Sequence, residues 1–265
     1  MSIEIMASWL SPDAADSRGF SAWARLPLLG ALLLSFASWA PGSARAETSV
    51  QDPGPKAVLA ALHADDGWVV HQLDGRGGVD IYRRRVPGLV NWVFKGVKDV
   101  DVDSTILFEA VIDIASHAGL SRDIPLTHSV VLHKEGNQID FFQLLDSPAW
   151  TLAADRYWFC RAFIHRNVGG VKGHHLQTWQ GIDPNLYPAQ RDAVLAEHAS
   201  AVLPPVNYGS WEIVPLSPGR SRMIYRVASD PGGRLPRAAS NLVTGKTLPD
   251  NLLQFEAEGK RRMGR

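Results

Sequence analysis

The side chains able to do chemistry in this chain are scattered histidines, one cysteine and a few carboxylates. His117, His128, His133, His165, His174 and His175 invite a metal or general-base reading. His174 and His175 are neighbours, and neighbours in a strand point to opposite faces, so they do not chelate one ion together. No HExxH run, cysteine pair or His/Asp spacing along one face supports zinc. No G-x-S-x-G surrounds a serine, and no glycine-rich loop leads a strand into a helix. Asp140, Glu212 and Asp230 form an acid/base site only if the fold brings them together. Cys160 reads either as a reactive thiol or, within its aromatic strand pattern, as a small buried apolar residue. The residues therefore assign no catalytic group, no metal and no cofactor.

What must position these groups is a run of strands closed by helices. Pro55–His63 is a short amphipathic helix. Trp68–Leu73, Val79–Val86 and Asn91–Val100 read as strands, the first two joined by the glycine-rich loop 74–78. Asp103-Ser104-Thr105 caps a helix with apolar Leu107, Phe108, Val111, Ile112 and Ile114. Strand-like runs follow at Thr127–Lys134, Gln138–Leu145, Arg156–His165, Gly173–Ile182, Tyr208–Leu216 and Ser221–Ser229. Residues 183–207 do not fit a simple hairpin. They read as an insertion whose helix from Pro188 is either a lid or a packed surface element.

Asp230-Pro231-Gly232-Gly233 reverses the chain, and Leu235-Pro236 opens a last helix running to Arg262. Pro249 either kinks this helix or divides it. If continuous it is about 38 Å long, and a stripe of that length needs a sheet to lie across. Hairpin-length connections make the sheet antiparallel, so the fold class is α+β with the helices on one face.

Of 265 residues, 45% are hydrophobic and 20% charged, with 27 basic against 27 acidic, which is ordinary globular composition. The zero balance gives no reason to expect nucleic acid or an anionic membrane surface as the main partner. The run Leu26–Ala40 follows Arg18 and Arg25 and ends at Ala44-Arg45-Ala46, the pattern of a secretory signal. Residues 1–46 are accordingly expected to be removed, leaving a periplasmic or secreted domain over 47–265. A lone Cys160 leaves that domain without an internal disulfide, so its core must stabilise it.

In order and spacing, several phrases together resemble the START lipid-transfer family, within the helix-grip (SRPBCC) superfamily. Trp68 with Val79-Asp80-Ile81-Tyr82-Arg83 resembles its opening strands, and Phe94-Lys95-Gly96 its third. Ser147-Pro148 with Asp155-Arg156-Tyr157 resembles the passage into its central strand. Tyr208-Gly209-Ser210-Trp211 and the run from Asp230 to Pro236 resemble its closing strands and turn. The likeness spans Pro55 to Lys260 and, with the signal, suggests an exported bacterial member. It implies a curved antiparallel sheet gripping the C-terminal helix, with a tunnel for one lipid between them.

That resemblance sets the remaining expectations. Tyr157, Phe159, Phe163, Phe141, Trp179 and Trp211 would line the concave face, facing Leu242 and Val243 of the last helix. The inward acid that some members keep falls at or near Gln143, and its partner arginine at Arg161 or Arg156, depending on a one-residue shift that flips the face. Gln143 cannot neutralise an arginine, so Arg161 must reach solvent, pair elsewhere or meet an anionic ligand group. Ala118-Gly119-Leu120 also departs from the family, whose members often carry a tryptophan there. The implied partner is a hydrophobic small molecule or lipid, with transient membrane contact and a gate formed by Asp146–Ala154 and the start of the last helix. Two alternatives are a helix-grip enzyme of cyclase or aromatase type and a ligand-sensing binding module.

Overall fold

A computed structural model describes residues 54–120, 126–147, 154–233 and 237–264; for residues 237–246 it describes the backbone alone. The expected signal segment 1–46, most of the expected gate (148–153) and the side chains of Leu242 and Val243 lie outside the described residues. Among the described residues no helix is long and apolar enough to cross a membrane.

Nine strands form one antiparallel sheet. They are β1 (Val69–Gln72), β2 (Asp80–Arg84), β3 (Val93–Val100), β4 (Leu126–Glu135), β5 (Gln138–Leu145), β6 (Arg156–Arg166), β7 (His175–Gly181), β8 (Val206–Ser217) and β9 (Arg220–Asp230). Their spatial order is β1-β2-β3-β9-β8-β7-β6-β5-β4. Every pair of consecutive strands is adjacent except β3 and β4, which lie apart because β3 pairs with β9, Phe94 opposite Val227. The helices are α1 (Gly54–His63), α2 (Ser104–Ile112), α3 (Pro188–Glu197) and α4 (Arg237–Arg262).

Strand alternation sorts the core into two faces. The inner face carries Ile81, Phe94, Met223, Val227, Trp211, Ile213, Cys160, Ala162 and Phe141 and packs with α2 and α4. The outer face, contrary to the expectation of helices on one side, carries α1 and α3. Val58 and Leu62 of α1 pack with Val93, Tyr208 and Ala228. Val194 of α3 packs with Phe142, Leu144, Tyr157 and Phe159, so residues 183–207 form a packed insertion over the outer face. Arg84 donates to the carbonyl of Ala61 at 2.6 Å, placing a cation at the negative end of α1. Asp103 caps α2 by accepting from the backbone N–H of Thr105 (2.9 Å) and Ile106 (3.3 Å).

α4 runs unbroken for 26 residues through Pro249, which is itself buried. The proline forfeits one backbone hydrogen bond and gains contact with the core. Two glycines let the helix come close. A Cβ at Gly96 would lie 2.2 Å from Leu248 Cδ2 and 3.0 Å from Leu252 Cδ1. A Cβ at Gly259 would lie 2.8 Å from Val102 Cγ1. Beyond the second contact Arg262 donates to Asp113 at 2.6 Å, tying the end of α4 to the end of α2.

Because Leu248 and Leu252 are fully buried, a methyl at position 96 overpacks the seam. Gly96→Ala should lower the free energy of unfolding by about 1–3 kcal/mol in urea titration. An unchanged midpoint would show that the seam is loose.

Candidate functional site

The middle of the inner face is aromatic and incompletely covered. Tyr225 of β9, Trp211 of β8 and Trp179 of β7 form a stack. Tyr225 and Trp211 lie 4.2 Å apart at 27°, and Tyr225 and Trp179 lie 5.8 Å apart at 19°. Gly209 permits this arrangement, since a Cβ there would lie 2.2 Å from Trp179 Cζ2. The indole therefore lies across the glycine instead of standing off the sheet. Asn207 holds the indole's far edge by accepting from Nε1 at 3.1 Å, and donates to Cys160 Sγ at 3.6 Å.

Tyr225 sits on the fourth of nine strands, yet it and Trp179 keep accessible surface. Burial nevertheless pushes the Tyr225 phenol pKa up. A ring set deep in the fold that keeps such surface is not sealed beneath its neighbours. Its hydroxyl has no hydrogen-bond partner among the described residues, so it is available to a guest.

Beside the stack is a closed polar network. Trp158 Nε1 donates to Gln143 Oε1 at 2.9 Å, and Gln143 Nε2 donates to Ser129 Oγ at 2.9 Å. Ser129 donates to the carbonyl of Ile114 at 2.5 Å. His117 Nε2 lies 2.9 Å from the carbonyl of Val111, which can only accept, so Nε2 carries the proton and Nδ1 accepts. Gln143 Nε2 faces that Nδ1 at 3.4 Å. Burial, opposed by hydrogen bonds to the Val111 and Ala110 backbone, lowers the His117 pKa to about 4. The neutral ring meets Phe255 of α4 edge-on at 5.0 Å.

The sequence-based assignments divide accordingly. Phe141, Trp179 and Trp211 lie on the inner face as expected. Gln143 is also on the inner face, but its amide is committed to Trp158, Ser129 and His117. Tyr157, Phe159 and Phe163 lie on the opposite face, where Tyr157 and Phe159 pack beneath α3. Arg161 is on that outer face too. It grips Asp140 through two 2.7 Å hydrogen bonds, and Tyr187 adds a third at 2.7 Å. Of the outcomes left open for Arg161, the structure selects pairing elsewhere.

Arg156 is buried and donates to carbonyls: Ala154, Pro231 at 3.3 Å and Gly232 at 3.4 Å. It therefore ties the chain just before β6 to the turn that precedes α4. Tyr225, Trp158 and Asn207 were not singled out from the sequence. Their signal was present in the alternation of Met223, Tyr225 and Val227 along β9, and of Trp158 with Cys160 along β6.

The three carboxylates do not converge. Asp140 is held by Arg161, and Glu212 by His174 (2.8 Å) and Arg226 (2.8 Å), both on the outer face. Asp230 accepts from the backbone of Gly232 at 2.9 Å. His174 and His175 do point to opposite faces, the latter stacking on Phe108 at 4.7 Å. Burial pushes the Cys160 thiol pKa up, which makes it an inert core group. Among the described residues no three His, Cys, Asp or Glu side chains gather as a metal site.

The neutral burial of His117 has a pH consequence. Its folded pKa lies below the unfolded value of 6.5, so the unfolded chain takes up a proton first and stability falls as pH drops from 6.5 toward 4. The loss is at most about 3 kcal/mol, since the ring keeps some accessible surface. Urea midpoints across that range should fall less steeply in His117→Gln than in the native chain. Parallel slopes would remove His117 as the cause.

Comparison with known proteins adds a relationship of shape. No family model and no curated protein matches the sequence. Among solved structures, human STARD10 superposes with a TM-score of 0.63 at 16% identity, covering 81% of this chain and 83% of that one. A STAR-related lipid transfer protein fragment from Xanthomonas axonopodis gives 0.59 at 18% identity, covering 74% and 99%. Human StAR-related lipid transfer protein 5 gives 0.56 at 16% identity, covering 78% and 91%. At such identities the likeness is one of fold, and the chain has the START-like helix-grip architecture.

Proposed function

We propose that this protein is an exported carrier that shelters one hydrophobic molecule between the inner face of its sheet and α4, without chemical change to the cargo. The observation that carries the reading is the stack of Trp179, Tyr225 and Trp211. It offers flat apolar surface on the inner face at the centre of the sheet, with one hydroxyl that has no partner among the described residues. A site for a hydrophobic guest has this composition, mostly apolar with few polar groups. The solved structures that share the fold are named for lipid transfer, which supports the same reading.

Burial drives retention, at roughly 25 cal/mol for each Å² of apolar guest removed from water. The polar groups nearby are matched to one another through Gln143, Ser129, Trp158 and His117, which favours shelter over reaction. Release requires the chain to part somewhere. Arg156 holds Ala154, the last residue of one expected gate segment, to Pro231 and Gly232 in the turn that leads into the other. Cargo exchange at a membrane would begin by breaking these bonds.

Native mass spectrometry of the purified mature protein, followed by lipid extraction, should find one apolar molecule per chain. The apo form should take up lipid from vesicles and deliver it to others. Arg156→Met should speed that exchange severalfold. A chain that emerges empty and takes up nothing would refute the carrier reading. Export has its own check: the mature N-terminus should fall near Glu47, in a periplasmic or secreted fraction.

A further inference from the structure

Among the arginines whose side chains are described, one is unmatched. Arg161 is paired with Asp140, and Arg156 donates to three carbonyls. Arg84 and Arg85 each donate to a carbonyl, and Arg226 pairs with Glu212. Lys98, on the inner face of β3, is neutralised by Glu256 of α4 at 3.3 Å. Arg83 alone among the arginines whose side chains are described has neither a carboxylate nor a hydrogen-bond acceptor. Its Nε is sealed from solvent without a partner. A buried donor left unmet in this way is costly.

Arg83 occupies a particular place on the sheet. It is register partner of Phe94, so it lies on the inner face. Its guanidinium stacks on Trp92 at 4.6 Å from the ring centroid, with Arg85 at 4.1 Å from the same ring. Stacking fixes the plane of the guanidinium and leaves its in-plane N–H groups free to meet two oxygens side by side. His71 of β1 shares this corner, edge-on to Phe94 at 5.8 Å. Burial and then the Arg83 charge hold the His71 pKa below its usual value, so it adds no competing anion or fixed cation.

From Arg83 the strand pairing continues across the sheet through Phe94, Val227, Gly209 and Trp179. Four inter-strand steps make an apolar path of about 19 Å with a cation at one end, along which Phe94 and Val227 are covered by neighbours that a guest would have to part. We propose that Arg83 receives the anionic end of the cargo, and that the cargo is a long-chain amphiphile ending in a carboxylate or phosphate. Its apolar body runs from Phe94 to the Trp179–Tyr225–Trp211 stack. This rests on the carrier reading and narrows it.

The test uses the mature protein with three probes that share one chain, hexadecanoate, hexadecyl phosphate and hexadecanol, in calorimetric titration near neutral pH. The native protein should bind both anions at least about tenfold tighter than the alcohol. Arg83→Met should bring the three within about twofold by weakening the anions alone. Arg83→Lys should keep part of the preference, and Arg220→Met, which removes an exposed charge elsewhere, should keep all of it. Inorganic phosphate at millimolar concentration should displace none of them, because it lacks the apolar body.

Equal binding of anions and alcohol by the native protein would overturn the proposal and leave the carrier standing. So would a preference that survives in Arg83→Met, or displacement by inorganic phosphate. If Arg83→Met does not fold, the native comparison and the lysine variant still decide. Binding of none of the three amphiphiles would overturn the carrier reading and this proposal together.

Discussion

The distance between α4 and the sheet decides what this protein can be. A helix laid on a sheet through large side chains fills the space beneath it. Here two positions without side chains bring it down. Leu248 and Leu252 settle over Gly96 of β3, and Gly259 of α4 settles against Val102. Those contacts, with the Arg262–Asp113 tie, anchor the C-terminal half of the helix firmly on one side of the bowl. Away from that anchorage, Tyr225 and Trp179 keep accessible surface though they lie on interior strands. Close packing at the seam and open surface beside it follow from the same placement of one helix.

Charge is distributed to match. The carboxylate-centred clusters, Asp140 with Arg161 and Tyr187, and Glu212 with His174 and Arg226, sit on the outer face. There α1 and α3 lie over the sheet. On the inner face Gln143, at the position where the START resemblance led to the expectation of an acid, closes a neutral network with Ser129, Trp158 and His117. An amide can satisfy both a donor and an acceptor without a counter-ion, so that wall of the bowl needs no buried arginine. Around Gln143 the inner face therefore holds no ion pair that a guest would have to desolvate, unlike β2 and β3 across the sheet, where Arg83 and the Lys98–Glu256 pair lie.

Most of the fold was legible because hairpin turns, strand alternation and helix caps are local signals. The number of strands along the chain, Asp103 as a cap and the extent of the last segment to Arg262 came from such cues, whereas the unbroken passage of α4 through Pro249 has no local signature. The face of β6 was not legible, for a definite reason. Alternation identifies the core side only when the other side is wet. The insertion 183–207 covers the outer face of β6, so Tyr157 and Phe159 are as buried as Cys160 and the strand is apolar on both sides. The parity error carried Arg161 with it. Arg83 escaped notice for the opposite reason. Arg83-Arg84-Arg85 looks like a solvated basic run, and only pairing with β3 shows that alternation sends 83 inward while 84 turns out to α1.

A carrier needs room beside Tyr225 that a lipid can occupy. A crystal of the protein grown with a long-chain lipid brominated along its chain tests this through the anomalous signal of bromine. The account requires bromine peaks on the inner face in van der Waals contact with Tyr225 or Trp179, under α4. Side chains of α4 packed directly on Tyr225, with bromine absent or found only on the outer surface, would contradict it.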